Sequence, residues 1–257
     1  MFYRTYIQQC KQNYIPMGFR KKGKTLFCSN KEVICAFTLN VVPSECRCFV
    51  EFDVFPLCTV PPIYLNSGRY SLEGFLTDPH NNYFTWHNSS ESISSCVNRI
   101  TELVDNRLIP IFDKCTNCES ALFELLRLEM EFERNRLAKL KQMGTLDCAS
   151  NWKDRSLFDA KKYYMALKAK NYTYARQYLE HEISHYKNII TSLKDPKSSQ
   201  QPKIVKERFV NTLNSRLDHL SHLSAEEYSF FEDLLCSNEQ RMLDFLRKTG
   251  IRLRSTD

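Results

Sequence analysis

The chain has 257 residues, of which 42% are hydrophobic, 26% charged and 12% aromatic. That is the composition of a folded globular protein, and it excludes intrinsic disorder. The 36 basic residues exceed the 30 acidic ones by only +6, too mild a bias to imply nucleic acid by itself. No run approaches the roughly 18 unbroken apolar residues of a membrane span. The opening Met1-Phe2-Tyr3-Arg4-Thr5-Tyr6 lacks the charged-then-apolar order of a secretory leader. A cytoplasmic location is therefore expected, with the 11 cysteines reduced and behaving as small hydrophobes.

A first helix is predicted over Phe2 to Tyr14, followed from about residue 24 to 87 by strand-like patterning. Thr25 to Cys28 is a short run, Ser29-Asn30-Lys31-Glu32 reads as a turn, and Val33 to Val42 and Cys46 to Phe55 flank Pro43-Ser44-Glu45. In the second long run Cys46, Cys48, Val50, Phe52 and Val54 alternate with Arg47, Phe49, Glu51 and Asp53, as expected of a sheet with one wetter face. Asn66-Ser67-Gly68 reads as another turn, and Tyr83-Phe84-Thr85-Trp86 as a closing strand. After about residue 91 the period becomes helical. Ile93, Val97, Ile100, Leu103 and Val104 form one stripe, with Pro110 expected to kink or stop it. Thr116-x-x-Glu119 reads as a capping box that opens a helix with core positions Leu122, Leu125, Leu126, Met130 and Phe132. Further helices are predicted over 156–169, 172–194, 204–222 and 225–248, with a second box at Ser224-x-x-Glu227 and a linker from Lys194 to Pro202. The fold class expected is α+β: an N-terminal helix and mostly antiparallel sheet in residues 1–114, then an all-helical half in 115–257.

The string Gly18-Phe19-Arg20-Lys21-Lys22-Gly23-Lys24-Thr25-Leu26-Phe27, with Phe37-Thr38-Leu39-Asn40 and Trp86 downstream, resembles an uncharacterised bacterial family described only as a domain of unknown function. The resemblance covers roughly residues 1–115 and implies an α+β fold in a bacterial cytosolic protein. It carries no catalytic residue across. Ala166 to Ile183 is similar to a tetratricopeptide helical hairpin: Lys170-Asn171-Tyr172 stands at the turn, Ala175 at a small position and Leu179 at a bulky one. The pattern departs at Glu182, where a small residue is expected, and no second copy follows at the repeat period.

His181-Glu182-Ile183-Ser184-His185 is an H-E-x-x-H string, which on a helix sets two imidazoles one turn apart as zinc ligands beside a glutamate base. Glu207 is the candidate third ligand. On a helical wheel, however, Ala175, Leu179, Ile183, Tyr186 and Ile190 form the apolar stripe, with His185 about 100° and His181 about 140° from its centre. Both rings are expected to face outward, and the charged neighbours Glu180 and Lys187 suit a solvated face. Cys115-Thr116-Asn117-Cys118 has redox spacing, but no strand leads into it in the βαβ manner, and it reads as structural.

Lys161, Lys162, Lys168, Lys170 and Arg176 interleave with tyrosines that include Tyr174. Cations for phosphates and rings for bases would suit single-stranded nucleic acid, yet glutamates are plentiful in the same half. The same groups suit an acidic protein partner, since aromatic and cationic side chains dominate binding hot spots. The sequence therefore points first to a protein-recognition module without catalysis or cofactor. A zinc hydrolase (His181, His185 and Glu207 as ligands, Glu182 as base) stands second, and single-stranded nucleic-acid binding third.

Overall fold

The structure is a computed structural model that describes residues 1–61, 70–76, 84–87, 89–143, 159–192, 200–251 and 253. Helix α1 (Phe2–Asn13) buries Phe2, Tyr6 and Cys10, one residue per turn, and the Phe2 ring stacks on Trp86 at 4.1 Å. Tyr14, at the end of the same row, is buried as well. Strands β1 (Arg20–Lys22), β2 (Thr25–Ser29), β3 (Val33–Val42), β4 (Arg47–Pro56), β5 (Tyr70–Ser71) and β6 (Phe84–Thr85) form one antiparallel sheet, in the order β1-β2-β3-β4. Both β5 and β6 pair with β4, at Glu51–Phe52 and at Arg47–Cys48 respectively. The β1–β2 turn needs Gly23 at φ 58°, a left-handed backbone that disfavours a Cβ.

The expected alternation in β4 holds from Arg47 to Phe52, then stops, and Asp53 to Pro56 are buried on both faces. The reason lies at the far end of the chain. One face of the sheet carries Leu26, Cys35, Phe37, Leu39, Val50, Phe52 and Val54 into the main core under α1 and the helices that follow. The other carries Phe27, Ile34, Ala36 and Phe55 into a second cluster with Met242, Leu246 and Ile251. A C-terminal helix thus covers a face the local pattern predicts to be wetter.

Helix α2 (Ser90–Leu103) is capped by Ser89 and buries Ile93, Cys96, Val97 and Ile100. Pro110 does not end it. The chain passes through a π-helical turn (Val104–Leu108) into α3 (Ile109–Lys114), with Pro110 in the first turn, where its missing N–H costs least. Helix α4 (Cys118–Gln142) starts one residue later than the predicted box. Asn117 is the cap and Ser120 its reciprocal partner, because Asn117 can accept from the Ser120 amide at 2.9 Å. Helices α5 (Ala160–Lys168), α6 (Tyr172–Ser192), α7 (Gln200–Ser224) and α8 (Tyr228–Lys248) complete the chain.

The α5–α6 turn has Lys170 at φ 57°, and Asn171 caps α6. The second predicted box is not a cap: Ser224 bonds back to the Leu220 carbonyl inside α7, and α8 begins after Glu227 without a side-chain cap. Gln200, Gln201 and Pro202 lie in the first turn of α7, and not in a linker. The predicted turn at Asn66-Ser67-Gly68, Tyr83 of the closing strand, the start of the helix expected from 156 and the linker segment 194–199 fall outside the described residues. No helix among the described residues is long and apolar enough to cross a membrane.

The boundary expected at residue 114 falls inside one continuous core. That core includes Phe52, Phe112, Leu125, Tyr163, Leu179 and Leu235, drawn from both halves. Its polar centre is Lys162, fully buried, whose ammonium pairs with Glu129 of α4 while the Tyr70 hydroxyl donates to the same carboxylate at 3.0 Å. Breaking a buried pair from one side strands a charge. Lys162→Met is therefore expected to cost about 3–5 kcal/mol in denaturant unfolding. Adding Glu129→Gln, which keeps an acceptor for Tyr70, should restore most of that loss.

Candidate functional site

Helix α6 carries the H-E-x-x-H string. Ala175, Leu179 and Ile183 are buried as the stripe predicts, and His185 is exposed while His181 is half-buried. Glu182 is buried too, which the wheel did not indicate. With Tyr178 it forms a second inward row, because α5 and α7 cover α6 from two sides and widen its buried sector. The Glu182 carboxylate accepts from Arg216 Nε of α7 at 2.5 Å. Tyr163, 5.3 Å from Tyr178 and 5.9 Å from His219, packs over that ion pair, with the Arg216 guanidinium 5.8 Å from its ring centre. Its hydroxyl meets His219 Nδ1 at 2.9 Å. A carboxylate held this way stabilises a cation and is poorly placed to take a proton from water. Glu207, the candidate third ligand, is exposed on α7. Among the described residues no group of three or more His, Cys, Asp or Glu side chains is brought together as a metal ion would need.

The basic residues of the α5–α6 hairpin do not form a common face. Lys161 pairs with Asp53 of β4 and lies 4.8 Å from the centre of the Phe55 ring. Lys162 is the buried partner of Glu129. Lys168 reaches Glu239 of α8 at 3.3 Å, and Lys170 lies 3.8 Å from Glu232 of the same helix. Arg176 donates to the Ser224 hydroxyl and the Leu223 carbonyl of α7, each at 3.1 Å. Tyr174 is half-buried against the main core. Lys161, Lys162, Lys168 and Arg176 clamp the hairpin to β4, α4, α8 and α7, whereas Lys170 and Glu232 are both largely exposed and their contact contributes little. Apart from Asp159, 3.9 Å from Lys161 and two residues before it, the acceptors of these cations lie 33 to 108 residues away in sequence, beyond the reach of any local pattern.

The C-x-x-C thiols straddle the α3–α4 corner and are both buried, Cys115 at 0% and Cys118 at 1% exposure. A helix start would ordinarily lower a thiol pKa. Here the neighbouring Cys58 thiol and burial push Cys118 far up, and Glu32, which accepts from the Cys118 amide at 2.8 Å, adds to the effect.

Among the described residues, an exposed apolar feature on α4 is one the sequence reading missed. Helix α4 buries Ala121, Leu125 and Leu128, and its Phe132 packs on Phe75 at 4.9 Å. Met130, expected in that core, points the other way, about 140° around the helix from Leu125. It is 73% exposed, with Phe123 at 66% and Leu137 at 37% on the same side and Leu126 half-buried between them. Beside this stripe, an open cleft of about 470 Å³ runs between α4 and the α5–α6 turn, lined by Lys114, Glu119, Phe123, Leu126 and Asn171. The signal was present in the sequence as the seven-residue spacing of Phe123, Met130 and Leu137. It was masked by the stronger stripe on the opposite side.

Comparison with family models, with curated proteins and with solved structures finds no match to this chain.

Two buried groups set opposing pH responses. Burial, helped by Arg216, lowers the His219 pKa from 6.5 to about 4, so the native ring is neutral. Between those values the unfolded chain binds the proton and the native one does not, and stability falls on acidification. Burial raises Glu73 from 4.5 to about 7 against the opposing Ser71 hydroxyl, so its stabilisation is lost as pH rises through 7. Each effect amounts to about 2 kcal/mol between roughly pH 8 and pH 5, with opposite sign. Unfolding curves across that range should therefore show His219→Gln gaining relative stability at the acid end. Glu73→Gln should gain at the alkaline end.

Proposed function

We propose that this chain is a protein-recognition module without catalysis, and that its docking face is the outer side of α4 with the adjoining cleft. The observation that carries the reading is the solvent exposure of Phe123 and Met130 on one helix side. Large apolar side chains grouped on a surface mark interaction sites, and aromatic anchors beside a pocket supply most of the affinity where partners meet. The cleft wall, apolar at Phe123 and Leu126 and charged at Lys114 and Glu119, suits one or two partner side chains with a polar rim. Lys161, Lys162, Lys168 and Arg176, four of the five hairpin cations expected to hold an acidic partner, are engaged within the fold, while Lys170 makes only an exposed contact to Glu232, and this favours α4 over α5–α6 as the docking face. The same engagement weakens the nucleic-acid alternative. Glu182 is paired with Arg216, and no group of three ligand side chains is gathered among the described residues, which counts against the hydrolase alternative.

A photoreactive phenylalanine analogue at position 123 of the full chain tests the reading in cells. The expected result is one or a few discrete protein adducts that disappear when Met130→Asp is added. Irradiation that yields no protein adduct, or adducts indifferent to Met130→Asp, overturns it.

A further inference from the structure

We infer that the occupant of this face is a second copy of the same chain, paired antiparallel across α4 about a twofold axis at Met130. The inference rests on the reading of α4 as a docking face and adds the identity of what docks.

The argument is the order of residues along that side. Phe123 and Leu137 are each seven residues from Met130, and Glu119 and Lys141 are each eleven. Two antiparallel copies centred on Met130 bring residues equally displaced in opposite directions to the same height. Met130 then meets Met130, Phe123 meets the second copy's Leu137, and Glu119 meets the second copy's Lys141. An interface built this way uses one patch twice, which is the requirement for a closed dimer.

Charge complementarity selects this partner and this direction. Helix α4 has Glu119 in its first turn and Lys139 and Lys141 in its last. A parallel copy would set like charges together at both ends, whereas an antiparallel copy sets acid against base at both. The helix macrodipoles then also oppose, which favours the same direction. Glu119 and Lys141 are both exposed, so they are available for the contact. The cleft lies at the Glu119 end, beside Phe123 and Leu126. It is placed to receive the Leu137 and Lys141 side chains of the second copy, and symmetry repeats the insertion at the other end. The overlap runs about 33 Å along the helix. One helix pair is smaller than a standard interface of roughly 800 Å² per partner, so a dissociation constant in the micromolar range is expected.

Sedimentation of the full chain over about 1–200 μM tests the inference, with circular dichroism checking that each variant folds. Reversible dimerisation is expected, weakened about tenfold or more by Met130→Glu. Glu119→Lys and Lys141→Glu should each weaken it about tenfold, because symmetry makes every substitution act at two contacts. An equimolar mixture of those two variants should recover wild-type affinity as a heterodimer, since every end contact is then opposite in charge. The double variant should recover it as a homodimer.

A monomer throughout the range, or a dimer that ignores all three substitutions, overturns the inference. So does failure of the mixture to recover. A monomeric chain whose position-123 probe captures a different protein sinks the self-pairing and leaves the docking reading standing. The absence of any adduct sinks both.

Discussion

The ion pair between Lys162 and Glu129 is the contact on which the arrangement of helices depends. Lys162 is fully buried, and an ammonium in such a place persists only with a charged partner close by. The partner carboxylate also accepts from Tyr70, so a single carboxylate ties α5, α4 and β5 together. Its neighbour Lys161, about 100° further round the helix, takes Asp53 of β4 instead. Two consecutive lysines therefore grip two different elements, and that fixes both the position and the rotation of α5. Helix α6 packs on α5, and α7 packs on α6 through Arg216 and Glu182.

A second constraint is the double cover of the sheet. Strand β4 is wet on one side along its first half and dry on both sides along its second, because α8 returns from the C-terminus to close over Phe27, Ile34, Ala36 and Phe55. The C-terminal end of α8 is in turn held by β1, where the Lys22 ammonium meets the Thr249 carbonyl and Arg20 reaches the Leu253 carbonyl. A cation at a helix C-terminus is where the helix dipole favours it. Arg20 and Lys22 thus have a structural role, fastening the first hairpin to the segment that ends α8.

Helix α4 is unusual in serving two solvents. Its inner side joins the main core through Leu125, Leu128 and Phe132, and its outer side shows Phe123, Met130 and Leu137 to water. An apolar stripe on the outside of a long, well-capped helix adds nothing to the fold of the monomer. Its position opposite the core stripe explains why periodicity alone assigned Met130 inward: with apolar residues on both sides, the 3.6-residue period no longer names a single buried direction.

Much of the fold was legible in the residues. The α+β order, the β2–β3–β4 meander, the long helices and the outward setting of His185 follow from local period and turn chemistry, which act within a few residues. Cap positions at Asn117 and the run through Pro110 differed by small shifts, because competing cap residues stood side by side and the π-helical turn absorbed the proline. What only the tertiary structure decided is which polar groups meet. Glu182 turns to Arg216, Lys162 to Glu129 and Lys161 to Asp53 across separations of 33 to 108 residues. Charge pairing at that range has no periodic signature. It depends on how helices pack, and so a hairpin that reads as a basic surface in the sequence becomes the internal fastening of the folded chain.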